Sequence, residues 1–130
     1  MNIPTTLKYS ESDEWVLVDG NIATIGITDF AQSQLSDIVY VEFKVEAGEE
    51  IKKDSVIVTL DSAKATADVN LPVSGKVSEV HTNLPEIMER INSDPYEDGW
   101  MLKVQLTDPG EVDRLMDAVA YDAYCQKRSH

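Results

Sequence analysis

Apolar and polar positions alternate along most of this chain, and only its last fifth breaks clearly into helical spacing. "WVLVDGNIATIGI", residues 15–27, sets two β-rich runs around Asp19-Gly20, a strong turn signal, and predicts a hairpin. "IVYVEFKV", residues 38–45, predicts a strand that ends in a turn at Gly48. After a turn at Gly75, "KVSEV" predicts another strand, and "WMLKVQL", residues 100–106, predicts one more. "VIVTLDSAKATADVNL", residues 56–71, reads as two strands joined at Ala63-Lys64. Centred there, Leu60 faces Ala67, Val58 faces Val69 and Val56 faces Leu71, so one side is wholly apolar. The other side pairs Asp61 with Thr66, Thr59 with Asp68 and Ile57 with Asn70. A slip of one residue would set Val58 against Asp68 or Asn70, so the pattern specifies the register.

Three segments read as helix. In "TDFAQSQLSD", Asp29 followed by Gln32 resembles a capping box, and Phe30, Ala31 and Leu35 share a face. "NLPEIMERIN" predicts a short helix with Asn83 as its cap. Residues 111–126 carry Val112, Leu115, Met116, Val119 and Ala123 at helical spacing and predict one amphipathic helix packed on the β core. Cys125 falls off that stripe and is expected to be an incidental thiol. Many short strands with a few short helices give a mainly β sandwich or barrel. No linker divides the chain, so residues 1–130 are expected to form one domain.

Composition removes several classes of function. At 42% hydrophobic residues the chain is globular in character. No apolar run approaches the roughly 20 residues that span a bilayer, and "MNIPTTLKYSESDEW" has neither a signal peptide's nor a transit peptide's character. A soluble cytoplasmic protein is expected. With 24 acidic against 11 basic residues the net charge is −13, which disfavours nucleic acid and anionic membranes and favours basic protein partners. A single cysteine excludes an internal disulfide and a cysteine-based metal site. The two histidines, His81 and His130, make no metal or triad motif, and no phosphate loop or nucleophile elbow occurs. Trp15, Tyr40, Phe43 and Trp100 are expected in the core rather than as a ligand platform.

Lys64 is left. Tight hairpins favour Asn-Gly or Asp-Gly at the tip, because those turns need positive φ. Here a well-specified hairpin ends in Ala63-Lys64, followed by Ala65. The two small neighbours leave the ammonium open to a modifying enzyme. An apex is no place for a Schiff-base lysine, which needs a desolvating pocket. It suits covalent attachment of a long arm instead.

Gly48 lies sixteen residues before Lys64 and Gly75 eleven after it, with "DSAKA" between. This resembles the biotinyl/lipoyl carrier domains, which pair two similar β halves at a lysine-bearing hairpin. Biotin carriers usually flank the lysine with Met, so Ala63 and Ala65 argue against biotin. "LKYSESDEWV", "IGITDFAQSQLSDIVYVE", "LDSAKATADVNLPVSGKVSEV" and "INSDPYEDGWMLKV" together resemble the H-protein family of the glycine cleavage system, from about Leu7 through the terminal helix.

That resemblance implies a lipoyl-domain-like barrel-sandwich hybrid with an added N-terminal hairpin, short helices and a C-terminal helix. It implies lipoic acid in amide linkage on Lys64, with Asp61, Ala63 and Ala65 as the context of attachment. It implies a non-catalytic carrier of the glycine-derived aminomethyl group. The partners would be glycine decarboxylase (P protein), aminomethyltransferase (T protein), dihydrolipoamide dehydrogenase (L protein), and a lipoate ligase or lipoyltransferase. Ser12, Glu14 and Asp68 match the cleft in which family members shelter the loaded arm. Two positions depart from many relatives: Asp61 stands for Glu, and Asp13 for His, which would make the field around Glu14 more negative. Two other readings are an H-like protein in lipoate relay or regulation outside glycine catabolism, and an unmodified acidic interaction module.

Overall fold

The alternating pattern folds into two antiparallel sheets. The computed structural model describes residues 1–128, and His130 lies outside the described residues. The strands are β1 (Lys8–Tyr9), β2 (Glu14–Asp19), β3 (Ile22–Ile27), β4 (Ile38–Phe43), β5 (Glu50–Ile51), β6 (Val56–Ser62), β7 (Thr66–Asn70), β8 (Gly75–Val80) and β9 (Leu102–Leu106). One sheet runs β1-β2-β3-β9-β8-β5 and the other β4-β6-β7. Neither closes into a barrel. Their inner faces share one apolar cluster that includes Ile25, Ile57, Val58, Leu60, Leu71, Leu102 and Val104. No helix among the described residues is long and apolar enough to cross a membrane.

The β2–β3 hairpin turns through Gly20-Asn21, because Asp19 pairs with Ile22. Gly20 has φ +62°, the left-handed conformation that a two-residue turn opening on Gly requires. In the β6–β7 hairpin the predicted pairs Asp61–Thr66, Leu60–Ala67, Thr59–Asp68 and Val58–Val69 all occur. Beyond them the register shifts at a bulge, and Val56 pairs with Asn70 instead of Leu71. The extra residue turns both Ile57 and Val58 inward and leaves Val56 exposed. Gly75 opens β8 and makes no turn. A Cβ there would lie 2.7 Å from the Gln105 carbonyl oxygen, so glycine allows β8 and β9 to approach.

The helices differ more from expectation. Helix α1 (Asp29–Leu35) is capped by Thr28, whose hydroxyl accepts the Ala31 amide at 3.2 Å, not by Asp29. "NLPEIMERIN" divides into a 3-10 turn, Leu84–Glu86, and α2 (Glu89–Ser93), and Asn83 makes no side-chain cap. Residues 111–126 are not one helix. A 3-10 segment, Pro109–Arg114, runs into extended backbone at Leu115. Met116 then forms an antiparallel bridge with Tyr9, and α3 (Ala118–Arg128) begins after Asp117, whose carboxylate accepts the Ala120 amide at 2.9 Å. The break rotates the buried stripe to Ala118, Tyr121 and Cys125 and leaves Val119 80% exposed. Cys125 is fully buried beside Tyr9, Trp15 and Phe30 in a second, smaller cluster. Tyr40 is 52% exposed and so lies outside the core, whereas Trp15 is inside it.

Candidate functional site

The tip of the β6–β7 hairpin is a four-residue turn, Ser62 to Ala65. The Ser62 amide donates to the Ala65 carbonyl at 2.8 Å. The Ser62 hydroxyl donates to the same carbonyl at 2.9 Å and accepts the Ala65 amide at 3.0 Å and the Lys64 amide at 3.3 Å. Neither Ala63 nor Lys64 adopts positive φ, so no glycine is required. The serine side chain does the closing. From outside the hairpin, the Ala63 amide donates to the Asp37 carbonyl at 3.0 Å. Ala63, Lys64 and Ala65 are all exposed, and the Lys64 ammonium has no partner among the described residues. Asp61 sits one pair below the turn, where its carboxylate accepts the Thr66 hydroxyl at 2.9 Å.

Below the tip, Ser12, Glu14 and Asp68 converge on one cleft of about 170 Å³. Its floor is apolar, with Ile27, Leu35, Leu60 and Val69, and Asp13 and Gln34 join the rim. Glu14 is 1% exposed, so it is a buried acid and not a surface one. One carboxylate oxygen accepts the Ser10 and Ser12 hydroxyls, each at 2.6 Å, and the other accepts the Asn70 amide at 3.2 Å. Burial pushes this carboxyl up to about 7, against the opposing pull of those hydrogen bonds. Asp68 is exposed and receives one long bond, 3.4 Å, from the Thr59 hydroxyl. The cleft thus has a buried acid with a raised pKa on one wall and a solvated one on the other.

Asp13 also pushes the Glu14 carboxyl up, by less than burial does, and Asp13 is itself held from across the fold. Its carboxylate is paired with Arg128 of α3 at 2.6 Å, so the expected excess of negative field is largely offset. Among the described residues, no group of three or more His, Cys, Asp or Glu is placed to hold a metal ion.

Residues 7–128 match the family model described as glycine cleavage H-protein. The chain belongs to the glycine cleavage H-protein family. It is 48% identical to the glycine cleavage system H protein of Symbiobacterium thermophilum over 97% of this chain and 98% of that one. It is 49% identical to a mitochondrial H protein of Arabidopsis thaliana over 93% of this chain and 77% of that one. A crystal structure of the H protein from Mycobacterium marinum superposes with a TM-score of 0.83 at 29% identity, covering 98% of this chain and all of that one. As an H protein, the chain has the role of lipoyl carrier in the glycine cleavage system.

Sequence reasoning missed Ser62, Ser10, Asn70 and Arg128 in this H protein. Ser62 had a readable signal, a hydroxyl two residues before the lysine, where local side-chain bonds close turns. Ser10, Asn70 and Arg128 had none, because their roles depend on contacts made only in the folded chain.

Proposed function

We propose that Lys64 carries lipoate in amide linkage, within an attachment context of Asp61, Ala63 and Ala65, and that Ser12, Glu14 and Asp68 form the cleft that shelters the loaded arm. The tip carries this reading: an exposed lysine without a partner among the described residues, on a turn tied down by Ser62 and Asp37. Acylation turns its ammonium into an amide and removes the charge, and no described contact depends on that charge.

When attached, lipoate supplies a redox-active pair of sulfurs at the end of a long chain. Asp68 lies four residues beyond Lys64 on β7, about 13 Å along an extended strand, so attachment point and cleft share one hairpin. The apolar floor suits methylenes, and the acidic walls suit a cationic amine. Glu14 is the stronger acceptor position, because burial excludes the water that would otherwise weaken its bond. In the cleft Ser12 serves Glu14 as a donor, which orients the carboxylate.

The carrier itself is not a catalyst in this reading. It presents Lys64 to a lipoate ligase or lipoyltransferase, then to glycine decarboxylase, the aminomethyltransferase and dihydrolipoamide dehydrogenase. Tethering on a stiff hairpin raises effective concentration at each and leaves orientation free. Residues 1–130 act as one carrier domain, a view supported by the apolar cluster that the two sheets share. The proposed compartment is the cytoplasm, checked by cell fractionation.

The test is intact mass after incubation with lipoate, ATP and a lipoate ligase. Wild type gains one lipoyl group, and Lys64→Arg gains none. A mass gain in Lys64→Arg would move the attachment elsewhere, and unmodified protein in native cells would favour a plain interaction module.

A further inference from the structure

Asp13 sits between Ser12 and Glu14 with φ +74°, in the left-handed region that few residue types other than glycine enter readily. Its neighbours close a tight turn. The Asp13 amide donates to the Ser10 carbonyl at 3.2 Å, the Ser10 amide to the Glu14 carbonyl at 2.9 Å, and the Thr28 amide to the Asp13 carbonyl at 3.0 Å. The turn therefore sets where the Ser12 and Glu14 side chains enter the cleft.

Among the described residues, the Asp13 side chain is held from α3. Arg128 reaches it with both arms of the guanidinium, at 2.6 Å to one oxygen and 3.2 Å to the other. The Tyr121 hydroxyl donates to it at 2.8 Å, and in turn bonds the Thr28 hydroxyl at 2.6 Å. The guanidinium carbon lies 4.0 Å from the Tyr124 ring centre and 4.4 Å from that of Phe30. This bidentate, ring-sandwiched, partly buried geometry is the kind that outweighs an ordinary surface pair. Tyr121, stacked on Tyr9 at 4.6 Å, fixes the position of α3 against β1.

We propose that the Arg128–Asp13 pair is a clamp through which the C-terminal helix holds the Ser12–Glu14 segment in its cleft-forming shape, so that Arg128 and Asp13 are positioning residues for the arm cleft. The proposal rests on the reading of Ser12, Glu14 and Asp68 as that cleft. Without the clamp, Asp13 has less reason to stay left-handed, and the turn that buries Glu14 opens.

The test uses full-length chain as wild type, Arg128→Ala, Arg128→Lys and Glu14→Gln. The first measurement is the Glu14 carboxyl titration by carbon NMR on unmodified protein. Opening the turn hydrates Glu14 and moves its midpoint down towards the ordinary carboxylate range. Loss of a neighbouring cation alone would move it up, and a role confined to anchoring α3 would leave it unchanged. A downward shift in Arg128→Ala, smaller in Arg128→Lys, is expected, and an upward shift or none overturns the clamp. The second measurement is the lifetime of lipoylated, loaded carrier kept apart from the transferase. Arg128→Ala is expected to shorten it by about threefold or more. If Glu14→Gln shortens the lifetime and Arg128→Ala does not, the clamp is wrong and the cleft stands. If neither does, the cleft reading fails and the clamp fails with it.

Discussion

The Asp37 carbonyl accepts the Ala63 amide at 3.0 Å, which ties the lysine-bearing tip to the loop that follows α1. That loop is itself held by Asn92, whose side-chain amide donates to the Ser36 carbonyl at 2.8 Å while its oxygen accepts the Ile38 amide at 3.0 Å. Between them Ser36 has φ 60° and ψ −153°, a region that belongs almost exclusively to glycine.

Ser36→Gly should therefore stabilise the protein. Relief of strain worth about 1–3 kcal/mol exceeds the added flexibility of glycine in the unfolded chain, about 0.5–1 kcal/mol. A net gain of about 1 kcal/mol should raise Tm by about 4 °C. Thermal unfolding decides it, and an unchanged or lower Tm would mean that the serine conformation carries no strain.

Ser62→Ala should loosen the tip without unfolding the chain. The turn loses three bonds made by one exposed hydroxyl. Their summed loss should cost about 1 kcal/mol. Amide exchange at Lys64 and Ala65 should speed up, and ligase kcat/KM should fall. Unaltered exchange would show that the backbone bond from Ser62 to Ala65 is enough to close the turn.

Glu14 gives the protein a pH dependence of known sign. Its carboxyl moves from an ordinary 4.5 to about 7 in the fold, so the folded state binds the proton more tightly. Its contribution to stability is complete below about 4.5 and is lost as pH rises through 7. The shift corresponds to at most about 3 kcal/mol. Denaturant unfolding of wild type and Glu14→Gln between about pH 5 and 9 should show wild type losing stability relative to the variant up to about pH 8, then a nearly constant difference. A difference that is flat throughout would return the carboxyl to its ordinary range. Glu14→Ala is a poorer probe of the cleft than a solvated acid would be. It strips the Ser10 hydroxyl and the Asn70 amide of their acceptor and should cost about 1–3 kcal/mol.

Partner encounter should weaken with salt. A net charge of −13 steers basic surfaces towards the carrier, and the screening length falls to about 8 Å at physiological ionic strength. The apparent KM of the ligase for the carrier should rise between about 20 mM and about 300 mM salt, as the screening length falls from roughly 20 Å to roughly 6 Å. A constant KM would leave the charge a solubility device.

Legibility followed locality. Lys64 and the register around it could be read because alternation from Val58 to Asp61 and Thr66 to Val69 permits one pairing. The bulge at Ile57 could not, since two successive inward apolar residues look the same as one step of a strand. Leu115 and Met116 misled in the same way: their spacing fits a helix as well as the extended bridge to Tyr9 that they form. The candidacy of Glu14 came through the family pattern, but its burial did not. That depends on Asn70, 56 residues away.

The turn from Ser62 to Ala65 is bonded from within by a hydroxyl and from outside by Asp37. Such a segment has little conformational entropy left to lose. An enzyme that takes up Lys64 meets it already ordered, and none of its binding free energy is diverted into arranging the backbone around the lysine. The freedom that remains belongs to the side chain, so a group proposed to hang from Lys64 would move while the backbone beneath it presents one rigid shape.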